Sequence, residues 1–256
     1  MLRVISRILL LGVLLVTLSA LAGYWYLETY LNTPLSEKKE TQIMIVPSGA
    51  NLTTVSTQLA DQGLLTRPRL FVAYARLTHQ TAIRVGEYQF DTGDTPRELL
   101  ELLMTGKVVQ YQLTVPEGLR FSEWLPLLAS QSKLIHQLTG LSNNEIIQHL
   151  GLNIEHPEGW FFPDTYLYSS GDSDRDILMR AHTRMREILE EEWRNKAADL
   201  PYNSAYEALI LASIVEKETG VGSERGEIAG VFVRRLKKGM RLQTDPTVIY
   251  GLGDQY

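Results

Sequence analysis

The alternation of apolar and polar residues divides this chain into stretches of different period. From Ile8 to Leu27 no charged residue occurs, and a helix of about 20 residues rising 1.5 Å each matches the ~30 Å hydrocarbon core of a bilayer. From Gln42 to about Val115 short strand-like alternations exchange with stretches of helical period. Beyond Gly140 the period is mainly helical. The fold class read from this order is α+β: an N-terminal transmembrane helix, a small α/β module, then a mainly α domain.

Arg3 and Arg7 precede the apolar run and Tyr24-Trp25-Tyr26 close it as an interfacial aromatic belt. That asymmetry places the N-terminus in the cytoplasm and the body outside. A cleaved signal peptide is the alternative, because Ala20-Leu21-Ala22 resembles an A-x-A site. The run continues through that site into the aromatic cluster, which favours an anchor. Residues 1–7 are then a cytoplasmic tail, 8–28 the span in the lipid bilayer, and 29–41 a linker, polar and proline-containing from Asn32 to Glu40.

The globular part opens with a strand, Ile43 to Val46, and the turn Pro47-Ser48-Gly49. A helix follows with Leu52, Val55 and Leu59 on one face, stopped by Gly63; a second runs from Arg67 to Leu77, and Arg84 to Phe90 alternates as a strand. The module 42–92 thus reads strand, helix, helix, strand. Pro96 opens a helix that Gly106 ends, and Val108 to Val115 returns as a strand, so that 93–150 holds a second strand-helix module and a connector. Val46-Pro47-x-Gly49 recurs as Val115-Pro116-x-Gly118, and Leu52, Val55, Leu59 recur as Phe121, Trp124, Leu128 at the same offsets. The chain reuses one strand-turn-helix unit.

A helix from Ser142 or Asn143 to Leu150 and an aromatic loop, Glu158 to Tyr166, lead into helical stretches at Ser173–Lys196, Ser204–Thr219 and Ser223–Lys238. Met240 to Gln243 is a short extended piece, and Asp245-Pro246 suits the N-cap and first position of a last turn, Thr247 to Tyr250. Within Ser204–Thr219, Glu207 pairs with Ser204 as a capping box. Glu218 has no such structural duty: at 100° per residue it lies within ~20° of Leu211, on the stripe of Ile214 and Val215. A carboxyl held against apolar side chains stays protonated closer to neutral pH and can act as a general acid. The bland alternative is a Glu paired with Arg225 or Arg241.

The composition, 44% hydrophobic and 21% charged, is that of a folded chain. A formal net charge of -5 with scattered Lys and Arg leaves no footprint for nucleic acid. The chain has no cysteine, which removes disulfide, thiolate-metal and thiol-nucleophile chemistry. Its five histidines show no metal-ligand spacing, so neither a metal nor a cofactor is expected.

The segments E-G-W-F-F-P-D-T-Y at 158–166, I-V-E-K-E-T at 214–219 and G-M-R-L-Q-T-D-P-T-V-I-Y-G at 239–251 together resemble the MltG (YceG-like) family of endolytic murein transglycosylases. The resemblance runs over essentially the whole chain. It implies a single-pass inner-membrane protein with a periplasmic body, a LysM-like module over 42–92, and a catalytic domain over 151–256. It also implies that Glu218, directly before Thr219, is the catalytic acid. The family continues past the Ile-Tyr-Gly motif with Tyr-Asn-Thr-Tyr and Gly-Leu-Pro-Pro motifs, so the catalytic domain is expected to be partial here. The implied substrate is the peptidoglycan glycan strand, and the implied neighbours are peptidoglycan synthases.

Under that resemblance Gln243, Thr244 and Asp245 are expected to hydrogen-bond sugar hydroxyls or acetamide groups, Asp245 being alternatively a helix N-cap. Glu158, Trp160, Asp164 and Tyr166 are expected to line the glycan groove, with Trp160 and Phe161 alternatively core residues. Glu216 is the second-choice carboxylate, expected to face solvent or to pair with Lys217 or a neighbouring helix. A hydrolytic muramidase would need a second carboxyl, Asp245 or Asp164. A non-catalytic scaffold that grips peptidoglycan and recruits synthases is the reading from a different class.

Overall fold

The computed structural model describes residues 2–47 and 49–252; Ser48 of the first turn and the Arg3 side chain lie outside the described residues. The chain forms two units, 1–110 with 169–171 and 111–168 with 172–256.

The first unit begins with helix α1, Leu2–Leu31. Its part Arg7–Leu31, with mean hydropathy 2.1, is long and apolar enough to cross a membrane. The helix does not end where the apolar run ends. Tyr30 and Leu31 are buried in the unit's core, Glu28 pairs with Arg97 at 2.9 Å, and the Arg67 guanidinium lies 4.7 Å from the Tyr26 ring centre. The segment expected to be a free linker is also tied down, Leu35 N–H donating to Asp94 and Ser36 N–H to Thr92 at 2.9 and 2.7 Å.

Strand β1 (Thr41–Val46), helices α2 (Leu52–Asp61) and α3 (Pro68–Leu77), strand β2 (Gly86–Asp91) and helix α4 (Pro96–Thr105) complete the first unit. β1 and β2 are antiparallel, Thr41 facing Asp91 and Val46 facing Gly86. Asn51 caps α2 by accepting from Thr54 N–H. Thr95 and Glu98 form a capping box at α4, which ends at a left-handed Gly106. Leu99, Leu100 and Leu103 of α4 join the core built by β1, β2, α2 and α3. Residues 93–110, expected to open the second module, thus belong to the first unit.

The second unit repeats the order: strand β3 (Gln110–Thr114), helices α5 (Phe121–Ala129) and α6 (Asn143–Leu150), strand β4 (Thr165–Ser169). β3 and β4 pair. Val115 N–H donates to Asp164, the Thr114 and Thr165 hydroxyls meet at 2.9 Å, and the Tyr111 and Tyr168 rings lie 5.7 Å apart. One index falls as the other rises, which is an antiparallel register. The sequence echo is therefore structural: Gly49 and Gly118 take φ of 80° and 78° in equivalent turns, and Phe121, Trp124 and Leu128 are buried as Leu52, Val55 and Leu59 are. β4 overlaps the end of the expected aromatic loop at Thr165 and Tyr166 and runs on to Ser169, a strand the sequence reading did not include.

Four helices follow: α7 (Asp174–Arg194), α8 (Ala205–Glu218), α9 (Arg225–Lys237) after a 3₁₀ turn at Gly222–Glu224, and α10 (Asp245–Leu252). α7 packs Ile177, Leu178 and Ala181 into the core of this module. α8 and α9 share a smaller core of Leu211, Val215 and Phe232.

Candidate active site

Glu218 is the last residue of α8. The helix stops because Thr219 is extended, at φ −145° and ψ 136°, and its side chain is clamped. The Thr219 hydroxyl donates to Glu224 Oε2 at 2.8 Å and accepts from Val221 N–H at 3.0 Å. Opposite lies Thr244, 5% exposed, whose hydroxyl donates to Glu218 Oε1. Gln243 adopts the left-handed φ of 53°, which turns the chain between the α9–α10 loop and Thr244. Arg235 of α9 holds that loop by donating to the Leu242 carbonyl. Thr244, in the loop that Arg235 of α9 holds, thus reaches the carboxylate at the end of α8.

The expected burial of Glu218 is not found: the residue is exposed. Its angular position matches the reading, since Leu211 and Val215 on the same stripe are buried. The difference is axial. Glu218 lies a turn beyond Val215, past the packing contacts that cover the stripe. Periodicity gives the direction of a side chain, not the extent of the element facing it.

Neighbouring carboxylates are occupied. Glu216 pairs with Arg225 at 2.8 Å, and the same guanidinium reaches Glu117 at 2.9 Å. The bland alternative of an Arg225 pair thus falls to Glu216, not to Glu218. A Cβ on Gly118 would stand 3.5 Å from Lys217 Nζ and 3.7 Å from Glu216 Cγ, so the turn after β3 lies against the end of α8. Among the described residues Glu218 Oε2 has no hydrogen-bond partner.

The other expected site residues divide. Thr244 is at the carboxylate; Gln243 and Asp245 flank it in the chain and are exposed, Asp245 being the first residue of α10. Glu158 Oε2 accepts from Phe121 N–H at 3.0 Å, at the start of α5. Trp160 stacks on Tyr206 at 5.3 Å and 5°. Asp164 is exposed and accepts from Thr165 N–H at 2.7 Å. Tyr166 departs from the expectation of a groove residue: it is buried, its hydroxyl donates to the Phe162 carbonyl, and burial pushes its phenol up to about 12. β4 alternates, so Tyr166 and Tyr168 face inward.

Sequence reasoning missed the Thr219–Glu224 clamp, the Arg235 bond to the Leu242 carbonyl and a partly exposed cluster at the other end of α8. There the Arg120 guanidinium lies 5.5 Å from the Tyr250 ring centre. Burial raises the Tyr250 phenol, Glu158 adds to the rise and Arg120 opposes it, with Tyr206 a further contributor upward. The hydroxyl after Glu218 was visible in the sequence. Arg225 was a candidate partner of Glu218, but which of the two neighbouring carboxylates it takes, Glu216, depends on how α8 and α9 pack.

The model of the YceG-like family matches residues 44–256, and the chain belongs to that family. It is similar to the endolytic murein transglycosylase of Bacillus subtilis, 25% identical over 248 residues, which cover 90% of this chain and 69% of that protein. It is also similar to the endolytic murein transglycosylase of Streptococcus pneumoniae strain D39, 27% identical over 262 residues, 90% of this chain and 47% of that protein. The chain spans about half the length of the pneumococcal relative. A crystal structure of a YceG-like protein from Listeria monocytogenes is 27% identical at a TM-score of 0.42, over 86% of this chain and 77% of that one.

Proposed function

We propose that this chain is an endolytic peptidoglycan transglycosylase, held by α1 in the bacterial inner membrane with the N-terminus cytoplasmic and the body periplasmic. Family membership and the activity for which the relatives are named support the reading. The observation that carries it to a residue is Glu218 itself: one oxygen is held by Thr244 while the other is open. The negative end of a helix dipole disfavours a carboxylate, so its place at the end of α8 serves no helix-stabilising purpose.

Glu218 Oε2 carries a proton to the glycosidic oxygen between N-acetylmuramic acid and N-acetylglucosamine, and the C1–O bond breaks with its electron pair on the leaving oxygen. The resulting carboxylate takes the proton of the muramic C6 hydroxyl as O6 bonds to C1. The product is a 1,6-anhydro end, water does not enter, and Glu218 is again protonated. Thr244 donates to Oε1 in both states, so it keeps Oε2 aimed while the proton leaves and returns. Because the fold leaves Glu218 exposed, exclusion of water falls to the sugar rings that close over it. Gln243, Asp245, Glu158, Trp160 and Asp164 are assigned to sugar contacts. The strand-helix-helix-strand module at 42–92 is assigned a LysM-like, glycan-holding role. An anchored site of this kind cuts strands where they emerge, beside the synthases that make them.

Glu218→Gln tests the assignment. The variant is expected to bind glycan and to release no anhydro product. A scaffold that only grips peptidoglycan would keep its cellular role with this substitution, and that result would end the enzymatic reading.

A further inference from the structure

We propose that Tyr206 and Tyr250, backed by Trp160 and flanked by Arg120 and Glu158, form a distal sugar subsite that grips the glycan strand away from the reacting bond. The inference rests on the glycan reading of Glu218 and adds to it where the strand runs. All five residues lie in the second unit.

The rings are exposed and yet fixed. Tyr206 is 41% and Tyr250 51% exposed. Trp160 covers one face of Tyr206 in a near-parallel stack and is itself held by a tilted ring contact with His182, ring centres 6.0 Å apart. Tyr206 therefore presents its outer face as a preformed platform, and a preformed platform loses little freedom when a flat, hydroxyl-bearing ring settles on it. Arg120 lies over Tyr250, and Glu158, anchored by the Phe121 N–H, supplies an acceptor beside the same group. Flat aromatic faces bordered by one cation and one carboxylate suit an amino sugar that carries hydroxyl, acetamide and carboxylate groups.

Placement joins this cluster to Glu218. Thr244, bonded to the catalytic carboxylate, immediately precedes α10. At 1.5 Å per residue Tyr250 stands about 9 Å further along that helix, and Tyr206 about 18 Å from Glu218 along α8. Such a span takes several sugar rings. A strand long enough to reach both places is held twice, and a short fragment is held once. The enzyme thereby selects long strands, which is what internal cutting requires.

Calorimetry on the Glu218→Gln chain tests the subsite, with peptide-free glycan strands separated into disaccharides and long oligomers. Tyr206→Ala and Tyr250→Ala are each expected to weaken long strands by about tenfold and to leave disaccharide binding unchanged. Tyr206→Phe and Tyr250→Phe keep the ring and are expected to retain most of the affinity, which separates loss of the platform from loss of fold. Alanine variants that bind long strands like the parent, or that lose both lengths equally, overturn the subsite and leave Glu218 in place. A parent that binds no glycan at all overturns the underlying glycan reading, and the subsite with it.

Discussion

Replacing Thr244 by valine removes one hydroxyl and keeps the shape of the side chain. That hydroxyl is the donor to Glu218 Oε1, and although Thr244 is buried, valine fills nearly the same volume, so no cavity opens. The backbone carbonyl of Thr244, which accepts from the Thr247 hydroxyl at 2.8 Å, is untouched, and the start of α10 should hold. A hydrogen bond to an acceptor that becomes charged as the proton leaves contributes about 1.5–3 kcal/mol at the charged end of that change, which corresponds to a loss of about 10- to 150-fold in rate at 1.36 kcal/mol per decade. Water can replace the hydroxyl because Glu218 is exposed, which places the expectation near the lower end. The loss should fall on kcat, because the bond aims the acid and does not touch the sugar. Release of anhydro-muropeptides from purified peptidoglycan, with the melting temperature as a control for folding, measures it. Thr244→Ser restores the donor and should restore most of the rate. Valine within about twofold of the parent, or serine as slow as valine, refutes the aiming role.

Glu216→Gln should leave anhydro product within a few-fold of the parent, because its partner is Arg225 and a solvent-screened ion pair at the surface contributes only ~0–1 kcal/mol; a loss as large as that of Glu218→Gln would move the acid to Glu216. Ser173→Ala removes the cap of α7, where hydroxyl and N–H both bond Asp176, and should cost ~1 kcal/mol in urea unfolding. At Asp176 burial raises the carboxyl, but Ser173, Arg175 and Arg180 hold it below its ordinary value. That contribution is present above the unfolded carboxyl's range and fades as pH falls through the lower folded value, so the Ser173→Ala penalty should shrink in acid; a penalty that grows there contradicts the cap. Ile177→Ala, at a fully buried site of α7, should cost ~2–5 kcal/mol in the same unfolding assay.

Local rules carried much of the fold into the sequence. The echo of Val46-Pro47-x-Gly49 in Val115-Pro116-x-Gly118 gave a repeated strand-turn-helix, because a left-handed glycine and a buried helical face are encoded within a dozen residues. β4 was hidden in a run of aromatics, where Tyr166 and Tyr168 point inward only because β3, some fifty residues earlier, pairs with them. The linker reading failed for a similar reason: Tyr30 and Leu31 are buried by helices beyond reach of any local pattern. At the site, the angle of Glu218 was legible and its exposure was not. Arg225 was a candidate partner of Glu218 but falls on Glu216, and Arg235 reaches the Leu242 carbonyl seven residues on; both contacts cross a turn between elements, where helical spacing gives no signature. Thr244 was legible as a member of the Gln-Thr-Asp turn, while its bond to Glu218 is a tertiary fact.

The central claim is that one carboxylate completes the reaction and water takes no part. Digesting purified peptidoglycan with this protein in ¹⁸O-enriched water, followed by mass spectrometry of the new muramic ends, tests it most directly. The account requires anhydro ends, one water lighter than reducing ends, carrying no heavy oxygen, and none from Glu218→Gln. Reducing ends labelled with ¹⁸O would identify a hydrolase with a second carboxyl and contradict it.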